Sequence, residues 1–242
     1  MKERLAPLIS GGGTTMAEII KAVQKGTIPD MEIACVIAST KQAGGIQKAL
    51  DLGIYEQKIV VVDPDDFRGS DLKVDRAAFG VKILEALRKH RASIVTQNGW
   101  MPRTPVNVIH AYRDRIFNQH PGPPAEFGGK GMYGRRVHAA VLRFRQLTNR
   151  DFWTTVIGQK VHENFDEGKV VKAKRVPILP SDTVEDLQMR ALPEEHWVQI
   201  AMLQDVMAGR LRELEPEFLV RPEERHLLEQ AKREAIEWYP KG

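Results

Sequence analysis

The chain is expected to fold as an α/β domain, with a Rossmann-like, mostly parallel sheet, helices on both faces and a C-terminal helical tail. Over its first two-thirds, short apolar runs alternate with amphipathic stretches, the pattern of strands covered by helices. A glycine-rich turn, Ser10-Gly11-Gly12-Gly13-Thr14-Thr15, joins the first apolar run to the first helical one. With 242 residues, the chain can bury the core of one large domain, or of a domain with an appendage.

Leu5 to Ile9 is the first strand. After the glycine turn, Met16, Ile19, Ile20 and Val23 recur at helical spacing. Ile33 to Ala38 is the second strand, and a helix from about Gly45 to Leu52 ends at Gly53. Ile59 to Val62 is the third strand, stopped by Asp63-Pro64. Leu72 to Arg88 reads as a long amphipathic helix, Ser93 to Gln97 as the fourth strand, and Arg115 to Asn118 as a short fifth. A helix from Tyr133 to Gln146 precedes two β-like segments, Thr154 to Val161 and Lys169 to Val176. Ser181-Asp182-Thr183-Val184-Glu185 resembles a capping box opening a helix. That helix is expected to break near Pro193, resume through Ala208 and stop at Gly209. Pro222 to Ile236 is a charged amphipathic helix, docked on the domain or on a neighbouring subunit. The economical organisation is a domain over residues 1–213 and a helical extension over 214–242.

Composition narrows the function classes. Charged residues make up 28% and hydrophobic ones 42%, which fits a soluble globular chain. No apolar stretch approaches the ~20 residues of a membrane span. Met1-Lys2-Glu3-Arg4 leads straight into the first strand, without a signal-peptide block. Cys35 is the only cysteine and lies in an apolar segment, so it reads as a small buried hydrophobe. A cytoplasmic location follows. The net charge is +4, but bases alternate with acids, as in Arg210-Leu211-Arg212-Glu213. That pattern marks a solvated helix face rather than a one-sided nucleic-acid footprint. A modest positive field also suits small anionic substrates.

Between a strand and a helix, the glycine turn has two readings. Its backbone N–H groups and the helix dipole favour a phosphate. The alternative is a tight turn with Thr14 as the helix cap and nothing bound. It is neither G-x-G-x-x-G nor a P-loop.

Asn118-Gln119-His120-Pro121 closes the fifth strand, at the edge where open α/β sheets place ligands. Pro121, Gly122, Pro123 and Pro124 then fix a loop. Asp166 follows in Phe165-Asp166-Glu167-Gly168. An amide, an imidazole and a carboxylate on strand-end loops can move an acyl group. The imidazole handles the proton, the carboxylate fixes its tautomer, and the amide faces the developing oxyanion. His138, His162 and His196 compete for the imidazole role. His138 reads as packing beside Val137 and Val141, and His162 as a residue lining the site. Histidine spacing offers no H-E-x-x-H, so no metal is implied.

On these residues the chain resembles the folate-dependent formyltransferases, from Leu5 to about Glu213. Ser10-Gly11-Gly12-Gly13-Thr14-Thr15 is similar to that family's phosphate-binding turn, with Thr15 where asparagine is usual. Asn118-Gln119-His120-Pro121 is similar to its N-x-H-P, and Asp166 stands at its essential aspartate. Gly99-Trp100-Met101 is similar to a segment bordering the folate pocket. Gly129-Lys130-Gly131-Met132-Tyr133-Gly134 with Val137-His138 matches a loop-to-helix variant in some members. Glu194-Glu195-His196 is similar to a late Glu-His pair.

The resemblance implies the formyltransferase fold and transfer of a formyl group from 10-formyltetrahydrofolate, as co-substrate, to the amine of glycinamide ribonucleotide in purine synthesis. Asn118, His120 and Asp166 would be catalytic. Gly12, Gly13, Thr14 and Thr15 would bind the substrate phosphate, and Glu195 the substrate amine. Trp100, Met101, Arg103 and His162 would border the folate. Partners would be small molecules only, with no nucleic acid and no membrane, and a homodimer is left open. Departures are Gly122-Pro123-Pro124-Ala125 after the His-Pro, Met101-Pro102-Arg103 in place of a Met-Arg pair, and Gln159 in place of an upstream histidine. Three alternatives share these features: hydrolysis of the same folate, formylation of a nucleotide-linked amino sugar, and a non-catalytic nucleotide-binding module. Transfer to methionyl-tRNA fits less well, because the tail after Glu213 is too short for a second β-barrel domain.

Overall fold

The structure, a computed structural model, describes residues 2–240 and 242; Met1 of the opening Met1-Lys2-Glu3-Arg4 lies outside them. The chain divides into two units, Met1–Asn118 with Leu203–Leu211, and Gln119–Met202 with Arg212–Gly242.

The first unit is built on β1 (Glu3–Ile9), α1 (Thr14–Gln24), β2 (Met31–Ile33), β3 (Val36–Ala38), α2 (Gly45–Asp51) and β4 (Ile59–Val61). It continues with α3 (Arg76–Lys89), β5 (Ile94–Gln97), α4 (Val106–Ala111) and the start of β6 (Ile116–His120). Its strands are all parallel, in the order β4-β3-β1-β5-β6, with β2 also on β1. As the central strand, β1 has Leu5 to Ile9 fully buried, which explains its unbroken apolar run. Helix α1 packs on α2, and α3 on α4.

The expected second strand is two strands. Opposite β1, the partner advances from Ile33 to Ile37 while β1 advances only from Leu5 to Leu8. One extra residue must be absorbed, and the ladder breaks at Ala34-Cys35 as at a bulge. Helix α3 starts at Arg76 rather than near Leu72, because the Asp75 carboxylate caps it, accepting from the Ala78 N–H at 3.0 Å. Leu72 takes a left-handed φ of 60°, outside any helix.

The second unit contains the end of β6, α5 (Pro124–Phe127), α6 (Arg135–Thr148), β7 (Trp153–Lys160) and β8 (Val170–Pro177). It also holds most of α7 (Val184–Met207) and all of α8 (Arg225–Trp238). Strands β7 and β8 form an antiparallel pair. The eight strands are therefore mostly parallel. A core of Phe127, Val141, Phe144, Val156, Leu187 and Leu228 holds this unit together. The stripe Leu228, Ala231 and Ala235 turns α8 onto α6.

Helix α7 does not break at Pro193. A proline inside a helix costs ~3 kcal/mol. Burial of Leu187 and Val198 on either side of it contributes roughly 1.5–3 kcal/mol each and outweighs that loss. Its cap is a reciprocal pair between Thr183, inside the expected capping segment, and Asp186, one residue beyond it. The Asp186 N–H donates to Thr183 Oγ1 at 3.1 Å, and the Thr183 N–H donates to Asp186 Oδ2 at 3.0 Å. Helices α4 and α5, of six and four residues, are too short to show a period in the sequence. Among the described residues no helix is long and apolar enough to cross a membrane.

Candidate active site

In the second unit β6 ends at His120, buried at 4% exposure. Its Nδ1 lies 2.7 Å from the Gly122 carbonyl oxygen. A carbonyl only accepts, so the proton sits on Nδ1. The 3.3 Å approach of the Gly122 N–H to the same nitrogen is the weaker contact and cannot coexist with it. This tautomer leaves Nε2 as the working nitrogen. It has no hydrogen-bond partner among the described residues and lies 3.8 Å from Asp166 Oδ2. That separation is just beyond a hydrogen bond, and it becomes an ion pair when the imidazole is protonated.

Asp166 sits in the loop between β7 and β8 with φ at 58°, the left-handed region, which costs a non-glycine residue about 1–2 kcal/mol. Two donors hold it there. Gly129 N–H reaches Oδ2 at 2.8 Å, and the Gln159 amide reaches Oδ1 at 2.9 Å. Gly128 allows the loop to come this close, since a Cβ there would stand 2.8 Å from Asp166 Cβ. Gln159 is thus a support for the aspartate.

Two further ionisable groups lie in this unit. Glu195 on α7 accepts a hydrogen bond from the Gln119 amide, and burial pushes its carboxyl up to about 7. Its neighbour Glu194 pairs instead with Lys174 at 2.5 Å. His138, on α6, is pushed down to about 4, by burial first and by the proximity of His120 second. It is therefore neutral near pH 7. His162 is exposed on the loop after β7, where its Nδ1 accepts from the Asn164 N–H at 3.2 Å.

In the first unit the glycine turn leads into α1. The residue at the cap position is Gly13, with φ 62°, and no side chain caps the helix, so Thr14 opens it instead of capping it. Only glycine fits there, because an added Cβ would stand 2.8 Å from Gly45 Cα. Gly11, Gly12 and Thr14 are exposed, while Thr15 is buried. Lys48, which no motif marks, donates from Nζ to the Gly12 carbonyl at 2.7 Å and puts a cation on the turn. Asn118 is half-buried and in register with Gln97 of β5. Trp100 is buried and stacked on Phe79, ring centroids 6.2 Å apart, and its indole N–H has no partner among the described residues. Met101 is exposed, its N–H bound to Ser10 Oγ at 2.9 Å, and Arg103 is half-buried. The structure thus brings together His120, Asp166 and Gln159 in one unit, and Gly12 and Lys48 in the other. Among the described residues no group of three His, Cys, Asp or Glu side chains could hold a metal ion.

A family model described as formyl transferase matches residues 3–203. Phosphoribosylglycinamide formyltransferase, chloroplastic, of Vigna unguiculata is 30% identical over 87% of this chain, which spans 62% of that protein's length. The phosphoribosylglycinamide formyltransferase of Haemophilus influenzae is 28% identical over 87% of this chain and 90% of its own. Among solved structures, the phosphoribosylglycinamide formyltransferase of Brucella melitensis is 29% identical, with a TM-score of 0.71, covering 88% of this chain and 100% of that one.

Proposed function

Because the chain belongs to the formyl transferase family, we propose that it moves a formyl group from 10-formyltetrahydrofolate to the primary amine of glycinamide ribonucleotide, a step of purine synthesis. The observation that carries this reading is the Asp166 carboxylate, held by Gly129 and Gln159, beside the unpartnered Nε2 of His120. The catalytic domain is residues 1–213, with 214–242 as an extension.

The substrate amine attacks the formyl carbon, a C–N bond forms, and the bond from that carbon to the folate nitrogen breaks. Asn118, two residues before His120 on β6, donates its amide N–H to the forming oxyanion. His120 keeps Nδ1–H on the Gly122 carbonyl and offers Nε2 to the reacting groups. When protonated it stabilises the oxyanion, and Asp166 offsets its charge. Asp166 also helps relay the proton from the attacking amine to the folate nitrogen. Glu195 receives the substrate amine, for which a buried carboxyl with its value near neutrality is suited. Gly12, Gly13, Thr14 and Thr15 take the ribonucleotide phosphate, with Lys48 as their cation. Trp100, Met101, Arg103 and His162 border the folate, and the unpartnered indole N–H of Trp100 is a donor that a bound ligand can use. Holding two substrates together can supply ~7–11 kcal/mol of the barrier, and one oxyanion donor ~3–4 kcal/mol.

The partners are small molecules, with neither nucleic acid nor membrane among them. A cytoplasmic location accords with a single buried thiol. A homodimer is read out by sedimentation. The functional test mixes purified protein and formylated folate, with and without the ribonucleotide. Deformylated folate that appears only with the ribonucleotide supports transfer to it. Release without it supports hydrolysis. Release with an amino sugar nucleotide alone changes the acceptor, and no release in any mixture favours a binding module.

A further inference from the structure

The C-terminal tail lies beyond the family-matched residues 3–203, yet it is tied to the loop that holds Asp166. Arg136, in the first turn of α6, is 8% exposed, and its guanidinium is surrounded by main-chain carbonyls. Nε donates to the Tyr239 carbonyl at 2.8 Å, and Nη2 to the Pro240 carbonyl at 2.7 Å. Nη1 donates to the Gly131 carbonyl at 2.8 Å, and the guanidinium lies 4.5 Å from the centre of the Tyr133 ring. One cation therefore joins the end of the chain to the middle of the loop between α5 and α6. Two residues earlier, the same loop supplies the Gly129 N–H that holds Asp166, and Gly128 packs directly on that side chain.

The near end of the loop is tied down as well. The buried Glu126 carboxylate accepts from the Leu219 and Val220 N–H groups at 3.1 and 2.7 Å. Lys232 Nζ on α8 donates to the Glu126 carbonyl at 2.9 Å. A tail that served only as cover would need no more than the apolar stripe of α8. Burying a cation against carbonyls is a costly way to gain stability, but it fixes three backbone segments in one geometry.

We propose that Arg136 is a positioning residue for the Asp166–His120 pair, and that through it the tail is a working part of the active site. This rests on the reading that Asp166 and His120 do the chemistry. The coupling runs from the Tyr239 and Pro240 carbonyls through Arg136 to Gly131, and from there through Gly129 to Asp166. Lysine cannot reproduce it, since one ammonium does not span three carbonyls in a fixed fork.

The test compares the full chain with Arg136→Ala, with Arg136→Lys, and with a chain ending at Trp238, which keeps α8 but lacks both terminal carbonyls. Steady-state constants for both substrates are measured, together with the imidazole titration of His120 by NMR. Asp166, 3.8 Å from His120 Nε2, and His138, which His120 influences through charge, are titratable groups that act on His120. In the alanine variant and the shortened chain kcat falls about tenfold or more while each KM stays within about twofold, as expected of a small displacement at the reacting groups. The lysine variant falls between, and the His120 titration moves in all three. A shortened chain with kcat within about twofold of the full chain, and His120 titrating unchanged, overturns the proposal. Should Arg136→Ala fail to fold, the shortened chain decides. Absence of transfer by the unaltered protein removes only the functional reading, because the titration still decides the coupling.

Discussion

Replacing Glu195 by glutamine gives a quantitative test of the site's electrostatics. Burial raises this carboxyl from an ordinary 4.5 to about 7, against a smaller lowering by the Gln119 hydrogen bond. The folded state therefore holds a proton that the unfolded chain releases above pH 4.5. Stability from this group is fully present below about pH 4.5 and is lost as pH rises through 7. At about 1.36 kcal/mol per unit, the raised value corresponds to about 3 kcal/mol. His138 works in the opposite sense over nearly the same range. Burial lowers it from 6.5 to about 4, so its contribution is present above 6.5 and is lost as pH falls through 4. Between about pH 5 and 6.5 the two groups nearly cancel, and their joint contribution in the unaltered protein is flat. Glutamine keeps an amide able to bond Gln119 and removes only the titration. Urea unfolding at a series of pH values, followed by tryptophan fluorescence, measures the difference. Glu195→Gln should gain on the unaltered protein by about 3 kcal/mol between pH 4.5 and 8. Parallel curves across that range would refute a buried, proton-holding Glu195.

Other perturbations follow from the same geometry. His138→Gln, measured the same way, should gain on the unaltered protein as pH falls from 6.5 to 4, by up to about 3 kcal/mol. Gly128→Ala places a Cβ 2.4 Å from the Pro124 carbonyl and 2.8 Å from Asp166 Cβ. It should cost about 1–3 kcal/mol in thermal unfolding and lower kcat by displacing the carboxylate. Lys48→Ala removes the cation on the glycine turn and should raise KM for the ribonucleotide about tenfold or more, with kcat nearly unchanged. Isothermal titration with the ribonucleotide checks that split.

Much of this was legible in the sequence because burial on both faces imposes unbroken apolar runs. Leu5 to Ile9 announced a parallel core in this way. His120 and Asp166 stood out because His120 ends a strand that Pro121-Gly122-Pro123-Pro124 cuts off, and Asp166 lies in an Asp-Glu-Gly turn. What holds them was not legible. The Gly129 N–H on Asp166 is a main-chain group and leaves no residue signal. Gln159 read as a departure, yet it supports Asp166 from β7, and only the fold brings them together. Lys48 reaches the glycine turn from α2, across 36 positions of chain. The helix continued through Pro193 because tertiary burial exceeded a local penalty, a balance that local patterning cannot weigh. Arg136 carries no motif, because its partners are the main-chain carbonyls of Gly131, Tyr239 and Pro240, which only the fold brings around it.

The most direct test is single-turnover transfer by Asn118→Ala and His120→Ala, with both substrates saturating and their binding measured separately. Ligand affinities within a few-fold of the unaltered protein, and transfer slowed at least roughly a hundredfold in each variant, are the expected results. Transfer at a near-normal rate in either variant would contradict the account.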